Sequence, residues 1–305
     1  MRDIYYIDRV TQKEEKEEVY GKFFLEILYG KRWYERLISF ILLPLSAQIS
    51  LASRIYGYFQ KISCSKKKVL PFIKKYSIDS SEFLDSPESY TSFNDFFIRR
   101  LKPSARPIEP GNDVAILPAD ARYLFYQDIA ETGGFFVKGK KFSLEKFLQD
   151  RQLAEKYLHG SMAIARLCPV DYHRFHFISN CMPSVPQLIN GPLYSVNPLA
   201  LRRNIEILSE NKRMMTHLHT KNFGDVLYIE VGATNVGTIH QTFDPNKQYA
   251  KGDEKGYFSF GGSCLVILFE PHKIQFDQDL LDASQRYIET KGLLGQSMGR
   301  AFSPF

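Results

Sequence analysis

Long apolar runs are missing from this 305-residue chain. The best is Leu37 to Leu45 (LISFILLPL), broken by Pro44 and well short of the roughly 20 residues that a membrane-spanning helix needs. Cysteine is scarce. The four present show no CxxC spacing, which excludes a zinc ribbon and a disulfide-dense secreted scaffold and reads as a reducing compartment. The start, MRDIYYIDRV, has no apolar core, which argues against a secretory signal. Repeats and low-complexity tracts are absent. No zinc, helix-turn-helix or RNP pattern supports nucleic-acid binding, and no metal is expected. At 44% hydrophobic and 24% charged residues, wholesale disorder is excluded, and the length suits one large domain or two ordinary ones.

Aromatic residues are abundant, with 24 Phe and 18 Tyr against one Trp, which suggests many strands. The net charge of +6 is unevenly spread. Between Lys31 and Ser77 stand ten Lys/Arg and one acid, Glu35, so this segment carries +9 and the rest of the chain −3. Trp33, Tyr34, Phe40, Leu42, Tyr56, Tyr58 and Phe59 are interleaved with the basic residues. Such a mixture suits a helix lying on an anionic lipid surface. It suits equally a helical hairpin packed on the body with a solvated basic face.

Periodicity divides the chain into a helical N-terminal region, 1–78, and a strand-rich region, 79–305. In the first, apolar positions recur at three and four (Phe24, Leu25, Leu28, then Leu37, Ile41). Ser80 to Pro110 is punctuated by Pro and Ser and holds one short helix, Phe93 to Arg100, capped by Ser92. Downstream, short β-branched or aromatic runs predict strands at Arg122 to Tyr126, Gly134 to Lys138, Met162 to Leu167, Arg174 to Ile178, Val226 to Val231 and Cys264 to Phe269. One helix, Leu144 to Leu158 with Ser143 as N-cap, interrupts them. The expected class is α+β: a helical arm, membrane-surface or packed on the body, followed by a mostly antiparallel β body.

Three places could carry chemistry. Among seven histidines, only His173 and His176 share an unusual setting, PVDYHRFHF. On a strand, positions i and i+3 face opposite ways, which argues against a shared metal, and a hydrogen-bonded core role is the plain alternative. In GYFSFGGSCLVILFE, Gly261, Gly262 and Ser263 open a strongly apolar strand. They form either a glycine turn or an exposed peptide bond next to a reactive serine. The nucleophile-elbow pattern GxSxG is absent there, which counts against an α/β-hydrolase. Asp120, in LPADA, reads by itself as a turn former.

The order of segments resembles that of the phosphatidylserine decarboxylase proenzymes. The matching pieces are YTSFNDFFIRRLKPSARPI (90–108), PAD (118–120), GKKFSLEKFL (139–148), RLCPVDYHRFHF (166–177), LYSVNPLAL (193–201), NKR (211–213), VGATNVGTI (231–239) and KGDEKGYFSFGGSCLVILFE (251–270). The resemblance implies a self-processing lyase of phospholipid biosynthesis, made as a zymogen. In it Ser263 attacks the Gly262 carbonyl, and the chain is cut between Gly262 and Ser263 into a β chain, 1–262, and an α chain, 263–305. Residue 263 becomes a covalent pyruvoyl cofactor that holds phosphatidylserine as a Schiff base, releasing CO2 and phosphatidylethanolamine. The family's triad carries over as Asp120 orienting His176 and His176 activating Ser263, with His173 assigned to decarboxylation. The implied partners are phosphatidylserine, an anionic membrane surface and the two chains of one precursor. The implied location is peripheral, on the cytoplasmic face of the cell membrane.

Two positions depart from the family pattern. Ala121 stands where Gly usually follows PAD, and Cys264 stands where Thr usually follows the serine. If the PAD turn needs φ > 0, Ala121 costs about 1 kcal/mol. The alternatives are a pyruvoyl decarboxylase of another amine-bearing substrate, or a silent membrane-surface homologue.

Overall fold

The computed structural model describes residues 4–17, 57–130, 136–137, 140–141, 143–196, 206–233, 239–261 and 263–302. Its centre is the strand Ser263–Phe269 (SCLVILF), every residue of which is buried. Leu265, Ile267 and Phe269 enter one hydrophobic core, and Cys264, Val266 and Leu268 enter another on the opposite face. An antiparallel strand this apolar has to be covered on both sides.

Around it runs a ten-stranded sheet. Its order is Gln187–Ile189, Arg213–Thr220, Asp225–Gly232, Ser263–Phe269, Ser161–Leu167, Ala121–Tyr126, Glu289–Gly292, Tyr5–Asp8 and Lys13–Lys16, with Cys181–Pro183 also pairing to Arg213–Thr220. All these pairings are antiparallel except that of Tyr5–Asp8 with Glu289–Gly292. One face is covered by two three-stranded sheets: Ile239–Gln241, Glu254–Phe258 and Arg174–His176, and then Ile274–Phe276, Ser297–Ala301 and Val114–Ile116. The helices Leu144–Leu148, Arg151–Tyr157 and Ile207–Glu210 cover the other face. The expected antiparallel β body is present.

Several expectations need correction. Residues 5–16, read as part of a helical arm, form two strands that extend the sheet edge, because Tyr6 and Asp8 alternate inward. The periodic residues Phe24 to Ile41 lie outside the described residues. The predicted helix 144–158 is two helices: Gln149 turns left-handed (φ 52°), and Asp150 caps a new start by accepting the Leu153 N–H. The Ser92-capped helix ends at Phe97, before the predicted Arg100.

The N-terminal edge is held by buried charge. Glu17 meets Arg166 at 2.6 Å, and Arg166 also meets Glu289 at 2.6 Å. Burial alone would raise the Glu17 carboxyl. Arg166 and then Arg122 overcome this and hold it at about 2, against an ordinary 4.5. A depressed carboxyl stabilises the fold fully above its unfolded value, and that contribution is lost as pH falls from 4.5 towards 2. Glu17→Gln should therefore cost about 2 kcal/mol at pH 7 in denaturant unfolding, since it takes one of two charged partners from the buried Arg166 guanidinium and leaves only Glu289. The difference from the parent protein should shrink below pH 4.5; an equal difference at pH 7 and pH 3 would refute the pairing.

Candidate active site

Ser263 is the first residue of the central strand, paired with Gly232 on one side and Leu167 on the other. It faces the same way as Leu265, towards the layer of small sheets. Its hydroxyl is fully buried and has no hydrogen-bond partner among the described residues. A hydroxyl in that state costs about 1–3 kcal/mol, so it calls for an explanation. Gly262 lies outside the described residues. Gly261 has φ +141°, a region that side chains disfavour. Phe260 is clamped by the Phe93–Phe97 helix: its N–H donates to Asn94 Oδ1 at 3.0 Å, and its ring lies 4.9 Å from that of Phe97.

The same helix holds His173, whose ring lies 3.8 Å from the Phe97 ring. His173 Nδ1 is 3.0 Å from the Asp171 carbonyl oxygen. A carbonyl only accepts, so Nδ1 carries the proton and Nε2 a free lone pair. That Nε2 is buried without a partner among the described residues. Burial pushes the imidazole down to about 3, outweighing the Asp171 hydrogen bond. Arg99, itself buried, donates to the same Asp171 carbonyl and to that of Val170, each at 3.1 Å, and so fixes this turn.

His176 sits on the neighbouring small sheet, opposite Glu254. Its backbone N–H donates to the Pro118 carbonyl at 2.9 Å, which brings the PAD turn alongside. Its Nδ1 donates to the Gly252 carbonyl at 2.9 Å, so Nε2 accepts from the Tyr172 hydroxyl at 3.3 Å. Burial lowers the imidazole below its ordinary value, against the Gly252 bond and the negative charges of Glu254 and Asp120. Asp120 is bonded elsewhere. Arg106 Nη2 reaches it at 2.7 Å, Arg106 also binds Glu82, and the Leu294 N–H donates to Asp120 Oδ1 at 2.9 Å.

The geometry thus gathers Asp120 beside His176 and sets His173 against the aromatic clamp that precedes Ser263. Among the described residues, no hydrogen bond joins Asp120 to His176, or either histidine to Ser263. Gly252 and Tyr172 occupy the His176 nitrogens instead. Sequence reasoning missed Tyr172, Arg106 and Arg99, although each stands inside a singled-out segment. The family's departures are accommodated. Ala121 opens a strand and is not left-handed, so the anticipated cost does not arise. Cys264 points into the opposite core, away from the serine side chain, where burial pushes its thiol up to about 12.

What this cluster offers is a dry hydroxyl with no partner among the described residues and two imidazoles that burial keeps neutral. Both histidines should appear as Nδ1–H tautomers in long-range proton–nitrogen NMR. His173 should show no titration between pH 8 and pH 5; a midpoint near 6.5 would contradict its burial.

Residues 93–300 match the family model described as phosphatidylserine decarboxylase. Over 296 residues the chain is 48% identical to the phosphatidylserine decarboxylase proenzyme of Chlamydia pneumoniae, covering 97% of each. It is 48% identical over 301 residues to the proenzyme of Chlamydia caviae, covering 99% of each. Against the Chlamydia muridarum proenzyme the identity is 48% over 306 residues.

Proposed function

Because this chain belongs to the phosphatidylserine decarboxylase family, we propose that it converts phosphatidylserine to phosphatidylethanolamine and CO2 after cutting itself between Gly262 and Ser263. The observation that carries this reading is the Ser263 hydroxyl, buried and without a partner among the described residues, two positions after Gly261, whose φ of +141° favours glycine. Such a hydroxyl has nothing to break before it attacks the preceding carbonyl.

In the first step Ser263 Oγ bonds to the Gly262 carbonyl carbon, and His176 Nε2 takes the hydroxyl proton. Tyr172 must release that nitrogen first. The peptide C–N bond breaks, leaving an ester and a free amine on residue 263. Loss of the Cα proton then expels the Gly262 carboxylate and leaves a dehydroalanine, which water hydrolyses with release of ammonia. Asp120, clamped by Arg106, supplies negative charge beside the imidazolium that His176 becomes.

Ser263 suits a pyruvoyl precursor because its side chain is small, dry and unengaged. The group, once present, supplies a carbonyl that accepts the electron pair left when the substrate's carboxylate departs. His173 Nε2, neutral and without a partner among the described residues, is assigned to take a proton from the substrate ammonium and return it to the substrate carbon that has lost its carboxylate.

Intact-mass analysis should find two polypeptides, 1–262 and 263–305, the smaller lighter than a Ser-initiated peptide by one ammonia. Ser263→Ala should stay whole and inactive, while His176→Ala and Asp120→Asn should slow cleavage by about 100-fold or more. A single full-length mass from active protein would sink the assignment.

The membrane reading is part of the proposal: a peripheral enzyme on the cytoplasmic face, held by anionic lipid. No helix among the described residues is long and apolar enough to cross a membrane. Within residues 57–75, Tyr58, Phe59 and Leu70 are exposed beside exposed Lys61, Lys66, Lys67, Lys74 and Lys75. Trp33, Phe40, Ile41 and Leu42 lie outside the described residues. Each basic residue near the surface contributes about 1 kcal/mol, screened over roughly 8 Å at physiological salt. Deleting residues 1–77 would also remove two strands of the main sheet and Glu17, so charge reversal is the cleaner test. Lys66→Glu with Lys67→Glu and Lys74→Glu should float poorly with anionic vesicles yet still cleave. Unchanged flotation would leave these residues as a packed, solvated face.

A further inference from the structure

The proposed base and nucleophile stand on different sheets, His176 on the small sheet and Ser263 on the main one, so the spacing between the sheets has to be fixed near them. We propose that the buried pair Lys255–Glu230 is that brace, acting as positioning residues for the reaction; the inference rests on the roles given above to His176 and Ser263.

Glu230 lies in the Asp225–Gly232 strand. It is opposite Leu265, and Gly232 is opposite Ser263. Opposite residues share a face, and residues two apart share a face, so Glu230 is the diagonal neighbour of Ser263 on the side that Ser263 faces. Lys255 belongs to the small sheet. There Glu254 pairs with His176 and Gly256 with Phe175, so Lys255 is the extra residue of a β-bulge set against the His176–Phe175 step. A bulge re-aims its side chain, and this one is aimed across the interlayer core.

Both side chains are fully buried. The Lys255 ammonium donates to Glu230 Oε1, to Gln241 Oε1 at 2.9 Å and to Thr216 Oγ1 at 3.1 Å. Gln241 Nε2 closes the ring by donating to Glu230 Oε2 at 3.0 Å. Thr216 and Glu230 come from the main sheet, Lys255 and Gln241 from the small one. The rings of Tyr228 and Phe243 lie 4.8 Å from the ammonium and keep water out. An apolar pair of the same volume is often as stable as a buried ion pair, so stability alone does not account for two charges here. Their direction does: every bond from the lysine to Glu230 or Thr216 crosses the gap between the small sheet that holds His176 and the main sheet that holds Ser263.

The test uses the full chain and three readouts: thermal midpoint, fraction cleaved over time, and phosphatidylserine turnover in detergent micelles. Glu230→Gln should lower the midpoint and slow both reactions. The double variant Lys255→Met with Glu230→Leu should regain the parent midpoint while cleavage and turnover stay about tenfold or more below it, because a misplacement of an ångström is costly. Recovery of midpoint and rates together would overturn the brace. If the double variant does not fold, Gln241→Met at its half-exposed position replaces it. That variant removes one bond from each partner and should slow the rates about threefold when both proteins are assayed well below their midpoints, where each is fully folded; unchanged rates there would overturn the proposal. Should the parent protein stay uncleaved, the processing reading fails and the brace falls with it; a parent that cleaves beside variants that cleave equally fast overturns the brace alone.

Discussion

Burial of the Ser263–Phe269 strand on both faces is the constraint on which the rest of the structure depends. Two cores meet along it, and its alternating side chains lock its register to Asp225–Gly232 on one side and Ser161–Leu167 on the other. A one-residue slip would turn Ser263 into the helical layer and Cys264 into its place. Register therefore decides which residue faces the small sheet that carries His176. The same burial removes water from the serine, so its hydroxyl has neither a protein partner among the described residues nor solvent.

Dryness also shapes the charges around it. Arg166, Glu17 and Glu289 neutralise one another on the helical side, and Arg122 meets Asp171 at 2.6 Å. Asp171 Oδ2 accepts the Cys168 N–H, which folds the turn that leads into His173. On the other side Lys255 and Glu230 do the equivalent between the sheets. Both histidines remain neutral because burial disfavours their charged forms, and each has its tautomer set by a backbone carbonyl rather than by a carboxylate. A neutral imidazole with its proton on Nδ1 is the form needed to accept a proton at Nε2.

Legibility in the sequence followed periodicity and failed where burial was charged. SCLVILF and SMAIARL read as strands because their apolar runs are continuous. RMMTHLHT, the Arg213–Thr220 strand, did not, since it opens with an arginine that is fully buried against the backbone carbonyls of Lys146, Phe147 and Asn211. YYIDRV was assigned to a helical arm, although it pairs locally with Lys13–Lys16; what joins that hairpin to the main sheet is Glu289–Gly292, some 280 residues away. At the site, Asp120, His173, His176 and Ser263 stood out through their motifs. Gly252 and Arg106 act through hydrogen bonds between separate segments, which no local spacing encodes, and Tyr172, only four residues from His176, has its bond set by how that turn folds.

The topology also bears on how a chain cut after residue 262 could keep its shape. Residues 263–302 do not form a separate lobe. Their first strand lies in the middle of the main sheet, Glu289–Gly292 lies between Ala121–Tyr126 and Tyr5–Asp8, and Ser297–Ala301 pairs with Val114–Ile116. The helix Gln278–Gln285 buries Leu280 and Leu281, and its Ser284 hydroxyl accepts the Phe125 N–H. Apart from the Ile274–Phe276 ladder with Ser297–Ala301, which lies within the segment, its ladder hydrogen bonds join it to strands from before residue 262 and so run across the proposed cut. Breaking one peptide bond there removes a covalent link but no sheet pairing, so the new chain end at 263 would remain in the dry interior where its chemistry is needed.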